Sequence, residues 1–135
     1  MDYRAIIVDF DRTLLHTDKS ISEYTVKVLL DLQKSGIRLF AATARPERAI
    51  TEYCKMIPFD AVTTLNGART IAKKNDYENP INPDSAEDIL RQLEGIAGMI
   101  ISLETGNGLY ANTDIPIWEP MVTDHIRHLP QQEKI

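Results

Sequence analysis

The sequence predicts an α/β fold built on a parallel β-sheet. Three short apolar runs, at residues 5–8, 37–42 and 61–65, alternate with two segments whose apolar residues recur at helical spacing. This strand–helix–strand–helix–strand order, with short connections, indicates parallel strands joined by right-handed crossovers. A polar motif follows each run. Because parallel strands bring their carboxyl ends to one edge of a sheet, we expect residues between 9 and 66 to share a site.

The two predicted helices have start and stop signals of their own. Residues Ser20 to Ser22 offer N-cap candidates for the first helix, Ser20 and Glu23 have capping-box spacing, and Gly36 is a good residue to end the helix. Pro46 is predicted at the first position of the second helix, which Pro58 closes. Both helices therefore fit between consecutive strands.

The character of the chain changes after residue 69. The stretch 75–83 is rich in Pro, Asn and acidic residues and is typical of a loop. A helix is predicted over 85–93, a strand over 99–103, a hairpin turn over 105–108 and an antiparallel return strand over 109–112. We therefore expect a second, smaller α/β portion, with a division into residues 1–72 and 73–135.

Composition excludes several classes of partner. The formal net charge of −5 and the absence of a basic block argue against nucleic-acid binding. A single cysteine, Cys54, cannot form an intrachain disulfide and fits a reducing, cytoplasmic location. No stretch reaches the length of a transmembrane helix, so no membrane partner is expected.

The most informative residues are Asp9 and Asp11, which follow the first apolar run. A carboxylate at the carboxyl end of a buried strand lies where open α/β sheets place their active sites. Two carboxylates this close repel each other unless a cation or a shared proton holds them. A Mg²⁺ site with one carboxylate free to attack phosphorus is one interpretation. A chance pair of turn-forming aspartates is the other.

Three segments together resemble a known family. Residues 9–15, DFDRTLL, resemble the DxDGTLL motif of the haloacid dehalogenase (HAD) superfamily of phosphohydrolases. Residues 41–46, AATARP, resemble its ATGRP motif, and residues 66–68, NGA, match the Cof-type (type IIB cap) subgroup. Arg12 and Ala44 each stand where the family usually has Gly. An Arg at position 12 either helps to hold phosphate or distorts the loop.

The resemblance implies a fold and a chemistry. The fold is a HAD-like Rossmannoid core, here its N-terminal half over residues 1–72, followed by part of an α+β cap domain over 73–135. Asp9 would attack phosphorus to form an aspartyl-phosphate, Asp11 would serve as general acid and base, and the Thr43 hydroxyl would bind a phosphoryl oxygen. Mg²⁺ would be held by Asp9 and Asp11. The implied substrate is a small phosphorylated metabolite, and its expected contacts are Arg12, Ala44, Arg45 and Asn66.

The family's later motifs, a lysine and an acidic loop, have no convincing counterpart in the chain. A segment around Asp84 and Asp88 resembles the acidic loop, but these residues are better interpreted as helix-start acids. The chain therefore resembles the N-terminal portion of a Cof-type phosphatase. We expect impaired phosphatase activity or, as the alternative, a non-catalytic remnant or binding module. A homodimer or a complementing C-terminal half is expected as partner, through the sheet edge or the hairpin near Leu103–Tyr110.

Overall fold

The structure is a computed structural model that describes residues 3–105, 108–112 and 126–128. It confirms the predicted α/β fold class. The chain divides into two compact units, Met1–Pro80 and Ile81–Ile135. Among the described residues, every helix is too short or too polar to cross a membrane.

The first unit contains a five-stranded sheet in the order β1-β2-β3-β4-β5. Strands β1 (Ala5–Val8), β2 (Arg38–Ala42) and β3 (Ala61–Thr64) are parallel, as predicted. Strands β4 (Arg69–Ala72) and β5 (Tyr77–Glu78) continue the sheet in antiparallel fashion. The prediction of a loop throughout 75–83 was therefore wrong at Tyr77–Glu78, where two residues pair with β4.

Helix α1 spans Glu23–Lys34 between β1 and β2. The structure confirms an N-cap within the predicted range Ser20 to Ser22, but the capping box suggested by Ser20 and Glu23 was wrong. Ser22 is the N-cap, and its hydroxyl accepts a hydrogen bond from the Thr25 N–H at 3.0 Å. The Ser20 hydroxyl instead donates to Asp18 Oδ1 at 2.6 Å. Gly36 follows the helix with φ of 89°, a left-handed conformation that glycine adopts without strain.

The second helical segment is shorter than expected. Pro46 precedes a 3₁₀ turn over Glu47–Ala49, and helix α2 begins only at Thr51 and ends at Met56. Pro46 is therefore the residue before the 3₁₀ turn rather than the first residue of an α-helix.

Both helices pack on the same face of the sheet. The inward-facing residues of β2 and β3, Leu39, Ala41 and Val62, form one buried cluster with Leu29 of α1 and Tyr53 of α2. The register of β1 on β2 places Ile6 and Val8 on this face, half-buried. The alternate residues of β1, including Ile7, face the other way. The connections from β1 to β2 and from β2 to β3 have the same handedness and step across the sheet in the same direction, so both helices lie on one face of the sheet.

The second unit contains helix α3 (Pro83–Glu94), confirming the predicted helix, and a sheet in the order β6-β7-β8. Strands β6 (Ser102–Thr105) and β7 (Gly108–Ala111) are antiparallel, and β8 (Ile126–His128) is parallel to β7. The strand predicted from residue 99 begins three residues later. Ahead of it, the Asn112 side chain binds the backbone of Met99 and Ile101. The centre of the predicted turn, 106–107, lies outside the described residues.

Candidate active site

The polar motifs of the first unit lie at the carboxyl ends of its three parallel strands. Asp9 follows β1 and Thr43 follows β2, and Val8 pairs with Ala41 in the ladder between them. The β2 and β3 ends are joined by hydrogen bonds: the Asn66 N–H donates to the Thr43 carbonyl at 3.3 Å. The sequence-predicted residues therefore gather along one edge of the sheet.

The loop after β1 is wound tightly around a buried phenylalanine. The carbonyl of Phe10, a fully buried residue, accepts hydrogen bonds from the N–H groups of Leu14 and Leu15 at 3.1 and 2.8 Å. Arg12 lies in this loop with φ of 58°. This left-handed conformation favours glycine, which explains why the resembled motif carries Gly there. Arg12 keeps the loop's left-handed turn at a cost in backbone strain, and its side chain is exposed.

Asp11 is held by two cationic side chains. Arg45 Nε donates to Asp11 Oδ2 and Arg45 Nη2 to Asp11 Oδ1, each at 2.7 Å. Lys19 Nζ donates to Asp11 Oδ1 at 3.0 Å. The hydrogen bonds from Arg45, reinforced by the one from Lys19, hold the pKa of the Asp11 carboxyl well below its usual range. Asp11 is therefore ionised in this arrangement.

Arg45 is an unusual arginine because its side chain is only 7% exposed. Buried guanidinium groups are paired, and a two-pronged contact with a carboxylate is their best-fitting partner. The Arg45 N–H also donates to the Thr43 hydroxyl at 3.2 Å, and the Leu65 N–H donates to the Arg45 carbonyl at 3.2 Å. Arg45 thus joins the three strand-end loops and is a central residue of the site.

Lys19 is a site residue that sequence reasoning missed. Its backbone has φ of 67°, and its carbonyl accepts a hydrogen bond from the Tyr53 hydroxyl at 2.9 Å. Tyr53 is itself buried and packs against the Phe10 ring at a centroid distance of 5.6 Å. The core therefore fixes the backbone of Lys19 beside the loop that carries Asp11. No motif around Lys19 signals this contact.

The other predicted site residues differ in exposure. Thr43 is buried, with its hydroxyl engaged by the Arg45 N–H, whereas Asp9, Ala44 and Asn66 are exposed. Asn66 adopts a left-handed conformation with φ of 54°, as is common for Asn in tight turns. Arg45 therefore contacts both Asp11 and Thr43, while Asp9 and Asn66 are exposed at the same edge.

The oxygen donors at the end of β1 suit a Mg²⁺ ion that keeps several waters better than a metal ion enclosed by protein ligands alone. Across the described ranges, no three His, Cys, Asp or Glu side chains form a group able to hold a metal. Mg²⁺ commonly keeps several waters and binds through one or two carboxylates plus a substrate phosphate. The Asp9 carboxylate and the Asp11 backbone carbonyl are oxygen donors of that kind. The Asp11 carboxylate is already engaged by Arg45.

Comparison with known proteins identifies the family. The sequence profile of the haloacid dehalogenase-like hydrolases matches residues 6–134. The chain therefore belongs to the haloacid dehalogenase-like hydrolases.

Individual relatives match only part of their own length. The 5-amino-6-(5-phospho-D-ribitylamino)uracil phosphatase YitU of Bacillus subtilis (strain 168) is 29% identical over 93 residues, covering 68% of this chain and 34% of YitU. A haloacid dehalogenase-like hydrolase from Bacteroides thetaiotaomicron superposes with a TM-score of 0.75 at 21% identity, covering 96% of this chain and 52% of that one. A haloacid dehalogenase-like hydrolase from B. subtilis gives 0.71 at 24% identity, covering 82% and 40%. The chain spans about a third of the curated relatives' length.

Proposed function

We propose that the chain is a phosphohydrolase that acts on small phosphorylated metabolites through an aspartyl-phosphate formed on Asp9. The observation that carries this proposal is the Asp11–Arg45 contact at the end of β1, because it fixes the second carboxylate next to an exposed first one. The YitU relative is a phosphatase by its name, which favours the same reaction class.

The proposed reaction uses the chain's own residues in two steps. An Asp9 carboxylate oxygen attacks phosphorus, and the bond from phosphorus to the ester oxygen breaks. Asp11 is ionised while Arg45 and Lys19 hold it, so it would leave these contacts, take up a proton from solvent and donate that proton to the departing oxygen. Water then attacks the phosphorus of the aspartyl-phosphate, and Asp11 takes up its proton as Asp9 and inorganic phosphate are released. The Thr43 hydroxyl would bind a phosphoryl oxygen. Arg12, Ala44, Arg45 and Asn66 are the proposed substrate contacts.

Mg²⁺ is the proposed cofactor. Asp9 and the backbone carbonyl of Asp11 would hold it. When bound, it offsets the negative charge of the phosphoryl group. We place the reaction in the cytoplasm, in keeping with the lone cysteine. We retain the proposed division into a core half, residues 1–72, and a partial cap, residues 73–135.

The enzyme hypothesis is tested by Mg²⁺-dependent hydrolysis of para-nitrophenyl phosphate. We expect slow turnover, about 10²–10³-fold below that of a phosphatase with a full set of charged groups. Asp9→Asn should reduce the rate to the uncatalysed background. Asp18→Asn, which changes an exposed aspartate in the neighbouring loop, is the matched control. Equal rates in Asp9→Asn and the unaltered chain would refute the proposed nucleophile.

The alternative is a non-catalytic remnant or binding module that keeps the fold. The specific observation in its favour is that Lys19 and Arg45 already neutralise Asp11, as in a structural ion pair. Calorimetric titration of Mg²⁺ in the presence of inorganic phosphate separates the two hypotheses. Tight Mg²⁺ binding that is lost in Asp9→Asn and accompanied by turnover argues against a remnant.

A further inference from the structure

Arg69, the first residue of β4, pairs with three carboxylates that come from two different segments. Its guanidinium lies 3.4 Å from Glu47 Oε2, 3.5 Å from Asp76 Oδ2 and 3.6 Å from Glu78 Oε1. Asp76 and Glu78 belong to the hairpin that β4 forms with β5, so these two ion pairs lie within one hairpin. Glu47 instead begins the 3₁₀ turn two residues after Arg45. The pair between Arg69 and Glu47 therefore joins the hairpin to the segment that carries Arg45.

This ion pair is the second of two contacts between neighbouring loops at the edge of the site. Residues 65–68 form a turn, and Arg69 follows it directly. At the start of this turn the Leu65 N–H donates to the Arg45 carbonyl at 3.2 Å. At its end the Arg69 side chain pairs with Glu47. The segment that carries Arg45 is therefore held at both ends of the turn.

The turn needs such support because its backbone is strained. Leu65 and Asn66 have φ of 53° and 54°, in the left-handed region, which is costly for a bulky side chain such as Leu. Strained conformations persist only where the surrounding structure fixes them. The Arg69 backbone is a fixed point, because it pairs with Thr64 in the ladder and the hydroxyl of this fully buried Thr64 donates to the Arg69 carbonyl at 3.3 Å.

We propose that Arg69 is a positioning residue for the candidate site: through Glu47 it holds the segment from which Arg45 reaches Asp11. The position of Arg45 is critical, because its guanidinium is buried and makes two hydrogen bonds to Asp11 at 2.7 Å. A displacement of about 1 Å can cost an active site most of its activity. All of these contacts lie within the first unit. An effect of Arg69 on phosphate binding rests on the proposed function, whereas its effect on the segment does not.

Two measurements on the full chain test the proposal. Amide hydrogen exchange at Leu65 reports how often its contact with Arg45 opens. Calorimetric titration with inorganic phosphate, in the presence of Mg²⁺, measures binding at the site. Arg69→Met keeps the apolar stem of the side chain and removes the ion pairs. Because a partly exposed ion pair contributes modestly, we expect the Leu65 exchange rate and the phosphate dissociation constant each to rise about three- to fivefold.

Further variants show whether Arg69 acts through Glu47. Glu47→Gln should reproduce the effect of Arg69→Met, and the double variant should show no larger effect, because both changes break the same contact. Arg69→Lys keeps the charge and should restore part of the loss. Glu78→Gln is the matched control, since it removes an Arg69 ion pair outside the segment that carries Arg45. It should leave both measured quantities unchanged.

Far-UV circular dichroism checks that each variant remains folded. Additive losses in the double variant, or an equal loss in Glu78→Gln, would overturn the proposal. Unchanged Leu65 exchange or unchanged phosphate affinity in Arg69→Met and Glu47→Gln would overturn it as well. If the unaltered chain binds no phosphate, the proposed function is refuted, and Leu65 exchange alone then decides whether Arg69 positions the segment.

Discussion

Replacing Arg45 with Met tests whether the buried guanidinium is the main support of the candidate site. Met keeps most of the apolar stem and removes both hydrogen bonds to Asp11. Asp11 retains its contact with Lys19, so its charge is not left without a partner. The substitution therefore measures the Arg45–Asp11 contact with little change in packing.

The expected cost follows from the geometry. A hydrogen bond to a charged group contributes about 1.5–3 kcal/mol to stability, and Arg45 makes two such bonds at 2.7 Å. The Asp11 side chain is 39% exposed, so solvent screens part of the attraction. Lys19 compensates for a further part. We therefore expect Arg45→Met to lower the free energy of unfolding by about 2 kcal/mol.

Urea unfolding at pH 7, followed by far-UV circular dichroism, measures this difference. With an m-value of about 1–3 kcal/mol/M, a loss of this size moves the transition midpoint down by about 1 M. Arg91→Met is the matched control, because Arg91 pairs with Glu87 on the exposed face of α3. An exposed pair of this spacing contributes about 0.3–0.5 kcal/mol.

Equal losses in Arg45→Met and Arg91→Met would refute the reasoning, since the argument depends on the burial of Arg45. An m-value that changes with Arg45→Met would instead indicate a change in unfolded surface or a departure from two-state unfolding. In that case the comparison is repeated with Arg45→Lys, which keeps the charge but cannot make the two-pronged contact. Arg45→Lys should then recover only part of the loss.

Three further predictions concern the first unit. Arg12→Gly should raise the free energy of unfolding by about 0.5–1 kcal/mol, because glycine removes the left-handed strain of the folded state and this gain exceeds the cost of a more flexible unfolded chain. Urea unfolding measures the difference. Ser22→Ala should lower it by about 1 kcal/mol through loss of the α1 cap, measured in the same way. The Leu39 N–H, and then Lys73, lower the pKa of Asp60, so its ionised form stabilises the fold above the unfolded pKa of about 4. Asp60→Asn should therefore cost stability at pH 7, and the difference from the unaltered chain should shrink as unfolding is measured from pH 5 down to pH 3.

The parallel core could be predicted from sequence because its signals are local. Strands buried within parallel sheets are short apolar runs, and the runs at 5–8 and 61–65 match β1 and β3 closely. The antiparallel strands β4 and β5 of the same sheet had no such local signal. β4 is half-buried and β5 has only two exposed residues, so their strand character depends on each other and on β3. Pairing of this kind is a tertiary property.

The cap of α1 shows how a local rule selects between neighbours. Ser20 and Ser22 are both acceptable N-caps, and capping-box spacing to Glu23 favours Ser20. In the structure Ser20 belongs to a turn in which its N–H and its hydroxyl both donate hydrogen bonds to the Asp18 side chain. Ser22 therefore caps the helix. The competing turn depends on Asp18 and on the left-handed backbone of Lys19. Neither is part of a helix-start pattern.

The candidate site was predictable in its location but not in its contacts. Strand ends mark where Asp9, Thr43 and Asn66 lie, because the topology alone aligns them. The Arg45–Asp11 contact joins residues 34 positions apart. The Lys19–Asp11 contact depends on the buried Tyr53, whose hydroxyl binds the Lys19 carbonyl and fixes the backbone of Lys19. Such contacts follow from how loops pack after the sheet has formed, and spacing along the chain does not encode them.

The unequal surroundings of the two carboxylates follow from the position of β1 in the sheet. Asp11 is in the loop that turns toward the β2 end, where the buried guanidinium of Arg45 pairs with its carboxylate. Asp9 lies directly at the end of an edge strand and is exposed, with no described strand on its outer side. Electrostatic stabilisation of a phosphoryl group is strongest where water is excluded. For the proposed reaction, the exposed Asp9 is open to a phosphorylated substrate, while the contact with Arg45 fixes Asp11 beside it.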